Sequence, residues 1–201
     1  MRNPYHQAKF AFSANAKKQL PNDARAEIAF AGRSNAGKSS ALNTLTDQKN
    51  LARVSKTPGR TQLINYFSLA QAGDYLVDLP GYGYAKVPEE IRSHWERLLG
   101  DYLLTRETLR GVILLMDSRH PMKDLDIRLL ECCAERQLPA HILLTKIDKL
   151  SNSQAAQQLQ AMKSEIVNWN APFSVQTFSS LKKQGLPQLI AQLNQWFDYD
   201  C

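Results

Sequence analysis

The stretch GRSNAGKS, residues 32–39, decides the fold of this chain of 201 residues. It matches the pattern GxxxxGK[ST] in full, follows the apolar run EIAFA and opens a helical pattern at Lys38, which is the context of a phosphate-binding loop. Glycines let such a loop curl so that its backbone N–H groups and the helix N-terminus face phosphate oxygens. The sequence therefore predicts that Lys38 contacts the β- and γ-phosphates of a nucleotide and that the Ser39 hydroxyl binds Mg²⁺.

Around this loop, short apolar runs alternate with helical patterns. The runs end at polar or turn residues and span 27–32, 61–69, 75–78, 111–117, 141–145 and 175–179. Helices are predicted to start at or near Lys38, Pro88, Met122, Ser151 and Leu186. This alternation indicates a three-layer α/β fold, in which helices cover both faces of a six-stranded, mostly parallel sheet. Residues 61–69 and 75–78 have hairpin spacing around Gly73, so one edge strand is predicted to be antiparallel.

A second motif, DLPG at residues 78–81, follows the apolar run YLV. Ligands of parallel sheets bind at the carboxyl ends of the strands, where this motif and the phosphate loop both fall. We expect Asp78 to hold the magnesium shell through water and the Gly81 amide to bond the γ-phosphate. DxxG is common by chance, and its position at a strand end after the phosphate loop is what makes it informative.

The loop SKTPGRTQ, residues 55–62, lies between these two motifs. A loop at this place carries, in GTPases, a threonine that meets magnesium only when the γ-phosphate is present. Thr57 and Thr61 are both candidates, and we favour Thr61 because it directly precedes the next strand. A plain polar loop with a Pro-Gly turn also describes the backbone here, and it does not exclude the role.

A base-reading motif, TKID at residues 145–148, ends the apolar run HILL. The Asp148 carboxylate can accept hydrogen bonds from guanine N1–H and the 2-amino group, a donor pair that adenine lacks. Lys146 is expected to lie along the base, and the Thr145 hydroxyl to brace the phosphate loop. Residues 178–180, FSS, follow the last strand, and Ser179 and Ser180 are expected to contact the guanine carbonyl and support Asp148.

The charge of the chain fits an anionic partner. The net charge is +6 and the pI is about 9.3. No acidic residue precedes Asp23. The basic residues that cluster are Arg2, Lys9, Lys17 and Lys18, then Lys49, Arg53, Lys56 and Arg60, and finally Lys182 and Lys183. They are either ordinary solvated side chains or a footprint for a nucleic-acid phosphate backbone.

Other features of the sequence predict a cytoplasmic protein with no membrane partner. No run of eighteen apolar residues and no leader pattern is present. The three cysteines, of which two are adjacent, have no metal-ligand spacing and form no disulfide framework. We expect a monomer with a basic N-terminal extension, residues 1–24, before a single domain, residues 25–201.

Five segments together resemble the EngB (YihA/YsxC) family of bacterial GTPases, in the translation-factor class of P-loop GTPases with a Ras-like fold. They are GRSNAGKSS, KTPGRTQLINYF, LVDLPGYGYAKVP, TKID and FSS. The resemblance covers about residues 10–197, and Lys182 matches the family's SS-x-K ending. It implies an EngB-type G domain that binds GTP or GDP with Mg²⁺. It also implies a role in assembling the large (50S) ribosomal subunit, through the subunit or its precursor and its ribosomal RNA, and a link to cell division and septation.

The motifs and the resemblance define the candidate site residues. The candidate nucleotide contacts are Gly32, Arg33, Ser34, Asn35, Ala36, Gly37, Lys38, Ser39, Ser40, Gly59, Arg60, Thr61, Asp78, Leu79, Pro80, Gly81, Thr145, Lys146, Ile147, Asp148, Phe178, Ser179 and Ser180. The candidate metal ligands are Ser39, Thr61 and Asp78, and the candidate catalytic residues are Lys38, Thr61, Gly81 and Asn35.

Hydrolysis is expected to be slow. Ras-like enzymes position the attacking water with a glutamine just after DxxG, where this chain has Tyr82. In similar GTPases an asparagine at the position of Asn35 coordinates potassium. Potassium held by Asn35 and the loop 55–61 could then stabilise charge on the β–γ bridge. The alternative is that Asn35 only shapes the loop.

Two other functions fit parts of the pattern. A tRNA-modification GTPase carries a similar asparagine but sits in a larger chain. A septum-associated regulatory GTPase is the other alternative, although the sequence has no basic amphipathic helix or lipidation site. The TKID motif argues against a P-loop kinase. GTP hydrolysis coupled to ribosome assembly remains the leading hypothesis from the sequence.

Overall fold

The part of the chain that the structure describes forms seven strands and five α-helices. The computed structural model describes residues 3–52, 63–83 and 89–199, and for residues 89–96 it describes the backbone. The strands are β1 (Lys9–Ala14), β2 (Ala26–Gly32), β3 (Ile64–Ser68), β4 (Asp74–Asp78), β5 (Leu109–Asp117), β6 (Ala140–Thr145) and β7 (Phe173–Thr177). The helices are α1 (Lys38–Thr46), α2 (Glu89–Thr105), α3 (Asp124–Glu135), α4 (Asn152–Val167) and α5 (Leu186–Phe197).

The strands form one sheet in the order β1-β3-β4-β2-β5-β6-β7. Neighbours pair in parallel from β4 through β2, β5 and β6 to β7, whereas β3 pairs antiparallel with both β4 and β1. The predicted α/β fold with a mostly parallel sheet is confirmed. Five parallel strands place their carboxyl ends along one edge of the sheet, and this edge positions the site.

The sheet has an antiparallel edge as predicted, but it contains seven strands and not six, because β1 adds an outer strand that pairs antiparallel with β3. The predicted hairpin of β3 and β4 therefore lies one strand in from the edge. The segment KFAFSA was missed since its two phenylalanines point to opposite faces and a bulge at Ala11, between Phe10 and Phe12, breaks a simple alternation. The division of the chain at residue 24 stays a prediction, but β1 lies in the same sheet as the later strands.

Each face of the sheet is covered by its own group of helices, because the strands bury side chains on both sides. On one face, Leu42 of α1 and Leu193 of α5 pack over Phe30 and Ile113. On the other face, Tyr102 of α2, Leu130 of α3 and Met162 of α4 pack in the second core. No helix among the described residues is long and apolar enough to cross a membrane.

The helix starts follow the sequence signals closely. α1 begins at Lys38 after Gly37, and Pro187 lies in the first turn of α5. Ser151 caps α4, because its hydroxyl accepts a hydrogen bond from the Gln154 amide, 3.3 Å away. These starts could be predicted because caps and first-turn prolines are local devices.

Residues 3–8 pack against the far end of the chain. The Tyr5 ring lies 6.3 Å from the rings of Phe197 and Tyr199, and its hydroxyl donates to the Asn194 side chain at 2.8 Å. The Asn3 side chain donates to the Leu45 carbonyl at the end of α1, at 2.9 Å. This segment therefore ties α1 to α5 on the face of the sheet that carries the phosphate loop helix.

Candidate functional site

The site lies at the carboxyl edge of the sheet, where neighbouring strands end. Gly32 ends β2, Asp78 ends β4, Asp117 ends β5 and Thr145 ends β6. Because these strands are parallel neighbours, motifs that lie far apart in the sequence meet here. Three of these four strand ends belong to the motifs predicted from the sequence.

The phosphate loop takes a tightly curled path between β2 and α1. A Cβ at Gly32 would lie 2.8 Å from the Leu115 carbonyl oxygen, so only glycine fits beside β5. Asn35 and Gly37 both have left-handed backbone, with φ of 64° and 101°. Gly37 is the N-cap of α1 and has no side chain to cap it, which leaves the amides of the first helical turn available to an anion.

Thr145 braces this loop from β6, as the sequence predicts. Its side chain is buried, and its hydroxyl lies 2.6 Å from the Ala36 carbonyl oxygen and 3.1 Å from that of Met116. One hydroxyl therefore links the phosphate loop, the end of β5 and the base-reading motif.

Lys146 makes a second link between the base-reading motif and the loop. Its Nζ donates to the Asn35 carbonyl at 2.7 Å and lies 3.0 Å from Asp117 Oδ2. Arg119 holds the same carboxylate through its Nε at 2.9 Å and its Nη2 at 2.6 Å, and it lowers the pKa of Asp117. Asp117 and Arg119 were missed from the sequence, although a carboxylate at the end of a parallel strand is a signal that could have found Asp117.

The Asp148 carboxylate is held in place by the turn after β7. Ser179 Oγ donates to Asp148 Oδ1 at 2.5 Å, and this bond lowers the pKa of Asp148. Ser179 is buried, and its hydroxyl also accepts a hydrogen bond from the Lys182 amide at 3.2 Å. The backbone amides of Ser179 and Gln184 each donate to the carbonyl of the other residue, both at 3.1 Å. This support leaves the carboxylate ionised and oriented.

Lys38 and Asp78 form an ion pair at the start of α1. Both side chains are largely buried. Ser39 follows Lys38 as the second residue of α1. A carboxylate and a hydroxyl on these two segments fit Mg²⁺, which proteins usually bind through one or two carboxylates together with substrate phosphates.

The Tyr82 side chain is buried, and its hydroxyl reaches α3. It is 5% exposed, and its hydroxyl donates to Asp126 Oδ1 on α3 at 2.6 Å. Burial raises the pKa of Tyr82 well above its ordinary value. Its backbone stays with the loop, because the Ser34 amide donates to the Tyr82 carbonyl at 2.8 Å and the Tyr82 amide to the Gly32 carbonyl at 3.4 Å.

The other predicted contacts divide into three groups. Thr57, Gly59, Arg60 and Thr61 lie outside the described residues. Six others lie in the three segments that meet at this edge: Arg33, Ser34, Ser40, Pro80, Gly81 and Ser180. Leu79, Ile147 and Phe178 have buried side chains, so only their backbone could contact a nucleotide.

Comparison with known proteins shows which proteins this chain is similar to. The protein-family model described as 50S ribosome-binding GTPase matches residues 27–146. The chain is 54% identical over 194 residues to the probable GTP-binding protein EngB of Escherichia coli O157:H7 (strain EC4115 / EHEC), covering 96% of this chain and 92% of that protein. The probable GTP-binding protein EngB of Shigella boydii serotype 18 is 54% identical over 193 residues, covering 96% of this chain and 91% of that protein.

A solved structure supports the fold independently. The crystal structure of a probable GTP-binding protein engB superposes with a TM-score of 0.64 at 21% identity, covering 87% of this chain and 100% of that one. At this identity the likeness bears on the fold alone, and it agrees with the single mixed sheet described above.

Proposed function

The chain belongs to the EngB family of P-loop GTPases, and from this premise we propose that it is a slow guanine-nucleotide switch that assists assembly of the large (50S) ribosomal subunit. One observation carries the nucleotide part of the proposal. Thr145 and Lys146 of the base-reading motif both hydrogen-bond to the backbone of the phosphate loop, at Ala36 and Asn35. A base and a phosphate chain bound to these two segments are therefore held in one fixed geometry.

Guanine selection rests on the Asp148 carboxylate. Ser179 occupies one side of Asp148 Oδ1, and the ionised carboxylate keeps acceptor capacity for guanine N1–H and the 2-amino group. Adenine leaves these acceptors unmatched, which is a strong penalty in a site built from fixed hydrogen bonds. Mg²⁺ would be held by Ser39, by Asp78 through water and by Thr61, and it would neutralise charge on the phosphates.

The position of Tyr82 supports the proposed slow hydrolysis. Its buried hydroxyl is bonded to Asp126 and cannot orient a water at the γ-phosphate, a task that a glutamine performs in Ras-like enzymes. Lys38 and the Gly81 amide then supply electrostatic stabilisation, and no glutamine directly follows DLPG to position the nucleophile.

Potassium is the activating ion that we propose for this site. Asn35 is exposed at the phosphate loop, and its side-chain amide makes no hydrogen bond to another residue in the described part of the chain. The alternative, that Asn35 only shapes the loop, is supported by its left-handed backbone, which asparagine tolerates. To separate the two roles of Asn35, GTP turnover is measured in potassium and in sodium, with the protein alone and with ribosomal particles. Equal rates in both salts under both conditions contradict the role of potassium.

The partner surface that we propose includes the basic N-terminal segment. Lys9, Lys17 and Lys18 are exposed, and no acidic residue precedes Asp23. The end of β1 pairs with the start of β3, Ala14 with Ile64, directly after the loop 55–62 that is expected to sense the γ-phosphate. Lys17 and Lys18 follow this end of β1 in a short 3-10 helix, whereas Lys9 begins the strand opposite Ser68, at the other end of β3. Lysines bound to the phosphate backbone of ribosomal RNA would therefore lie at both ends of a strand whose C-terminal end is near the switch loop. The proposed location is the cytoplasm, and the link to cell division is proposed as a consequence of ribosome assembly.

Cosedimentation with isolated large subunits tests the proposal. We expect the chain with a non-hydrolysable GTP analogue to sediment with the large subunit, and the chain with GDP to remain in the supernatant. Binding that ignores the nucleotide, or no binding in either state, contradicts the switch acting on ribosomes.

A matched pair of variants tests the basic surface. In one, the three exposed N-terminal lysines are replaced by glutamine: Lys9, Lys17 and Lys18. In its control, three exposed basic residues of α3 and α4 and their flanks are replaced in the same way: Lys123, Arg128 and Lys163. Both lose the same charge, and only the first is expected to lose binding and its dependence on salt. Equal loss in both contradicts the N-terminal surface and indicates a general charge effect.

A further inference from the structure

Asp126, a buried carboxylate that belongs to none of the nucleotide motifs, contacts the end of the DLPG motif. It is 1% exposed in the first turn of α3. Its Oδ1 accepts the Tyr82 hydroxyl at 2.6 Å, and its Oδ2 accepts the Lys123 amide at 3.1 Å. The carboxylate therefore joins the residue after DLPG to the start of α3, with one oxygen for each.

Tyr82 is fixed at its backbone as well as at its hydroxyl. The Ser34 amide donates to its carbonyl, and its own amide donates to the Gly32 carbonyl, so that both hydrogen bonds end on the phosphate loop. Its ring is buried in the core between the sheet and α3. Three hydrogen bonds and a packed ring thus determine where Tyr82 lies relative to the loop.

Gly81 directly precedes Tyr82 and lies against the phosphate loop. A Cβ at Gly81 would lie 3.5 Å from the Ser34 amide nitrogen and Cα and 3.7 Å from the Gly32 carbonyl oxygen. The Gly81 backbone is therefore close to the phosphate loop, one residue from the anchored Tyr82. A loosened Tyr82 would move this amide, whereas the Asp148 and Thr145 contacts on the other side of the site would be unchanged.

We propose that Asp126 is a positioning residue for the γ-phosphate, acting through the Tyr82 hydroxyl on the Gly81 amide. The inference rests on the proposed function, in which that amide bonds the γ-phosphate. GDP has no γ-phosphate, so the anchor contributes to triphosphate affinity and not to diphosphate affinity. The tyrosine that replaces a catalytic glutamine in this chain thereby has a different task, which is to hold the preceding amide in place.

A purely structural role for Asp126 makes a different prediction. Its Oδ2 caps α3, and its loss would destabilise that helix whether or not Tyr82 were involved. Such a role would lower the unfolding temperature and weaken GTP and GDP equally. The ratio of the two affinities is therefore the readout that distinguishes positioning from stability.

The experiment measures the affinities for GDP and for a non-hydrolysable GTP analogue, together with the unfolding temperature, in four variants. Tyr82→Phe removes only the hydroxyl, and Asp126→Asn keeps the shape but has a single acceptor oxygen for two donors. Asp124→Asn, an exposed position in the same helical turn, is the charge-matched control. Gly81→Pro tests the amide itself, because proline has no backbone N–H to donate.

We expect Tyr82→Phe and Asp126→Asn to lower triphosphate affinity by about tenfold, which is the order expected for loss of a charge-assisted hydrogen bond, with GDP affinity within about twofold of wild type. Asp124→Asn should change neither affinity. If Gly81→Pro lowers the ratio of triphosphate to diphosphate affinity but Tyr82→Phe leaves it unchanged, the inference alone is overturned. If Gly81→Pro leaves the ratio unchanged, the proposed role of the Gly81 amide is removed, and the inference with it.

Discussion

Thr145→Val is the sharpest test of how the two halves of the site are joined. Valine has almost the shape of threonine and suits a strand equally well, so the substitution removes a hydroxyl without opening a cavity. Thr145 is 3% exposed, and its hydroxyl lies within hydrogen-bond distance of the carbonyl oxygens of Ala36 and Met116. The change therefore leaves two carbonyl oxygens without this donor in a dry part of the molecule.

The magnitude follows from those two contacts. The hydroxyl has one proton, so one good hydrogen bond is lost, and the nearer acceptor, Ala36 at 2.6 Å, is the one left unsatisfied. The expected loss in the free energy of unfolding is about 1–3 kcal/mol. For a chain of this size, that corresponds to a fall in unfolding temperature of about 2–10 °C. GTP and GDP affinity should fall together by about tenfold, because Ala36 lies in the part of the loop that both nucleotides share.

The assay combines thermal unfolding of the nucleotide-free protein with titration of both nucleotides. Thr145→Ser is the matched control, since it keeps the hydroxyl, and it should retain most of the affinity that Thr145→Val loses. If Thr145→Val binds both nucleotides as tightly as wild type, the hydroxyl does not brace the loop. If Thr145→Ser is as weak as Thr145→Val, the methyl group and not the hydroxyl carries the effect.

Three further predictions concern other parts of the chain. Asp148→Asn should weaken GTP binding and favour xanthosine triphosphate, because donor and acceptor exchange roles at purine C2. Competition between the two nucleotides measures this preference, and an unchanged preference for guanine would remove the base-reading role. Lys38→Ala should abolish tight nucleotide binding, and undiminished affinity in the same titration would remove the phosphate-loop assignment. Burial lowers the pKa of His141 below its ordinary value of 6.5. As the pH falls, the unfolded chain therefore binds a proton at His141 before the folded chain does, and the free energy of unfolding should fall as the pH drops through 6.5 and below. His141→Gln should make the free energy of unfolding less dependent on pH. Urea unfolding at pH 7.5 and about pH 5.5 measures this difference.

The phosphate loop and the base-reading motif could be predicted because their chemistry is local. Gly32 and Gly37 are required by backbone geometry within the loop, and Thr145 and Lys146 lie within three residues of the Asp148 that they accompany. The predicted boundaries of β2, β4 and β6 differ from the observed ones by one residue at their starts, since each run ends at a polar motif that the sequence marks.

The contacts that could not be predicted join residues that only the sheet topology brings together. Asp126 meets Tyr82 across the gap between α3 and the end of DLPG, and Asp117 meets Lys146 across the β5–β6 pair. Neither carboxylate stands in a recognisable motif. Strand β1 was missed for a related reason, because its partner β3 lies far along the chain and its own sequence reads as a basic extension.

The packing of residues 3–8 against residues 194–199 sets an order of events during synthesis. Tyr5 can bury its ring only when Phe197 and Tyr199 are present, and its hydroxyl bonds Asn194. At ordinary translation rates of about 5–20 residues per second, Tyr5 waits about 10–40 s for these partners. The nascent chain therefore holds a core aromatic exposed until translation has passed α5, and the phosphate-loop helix α1 is secured from both sides only afterwards.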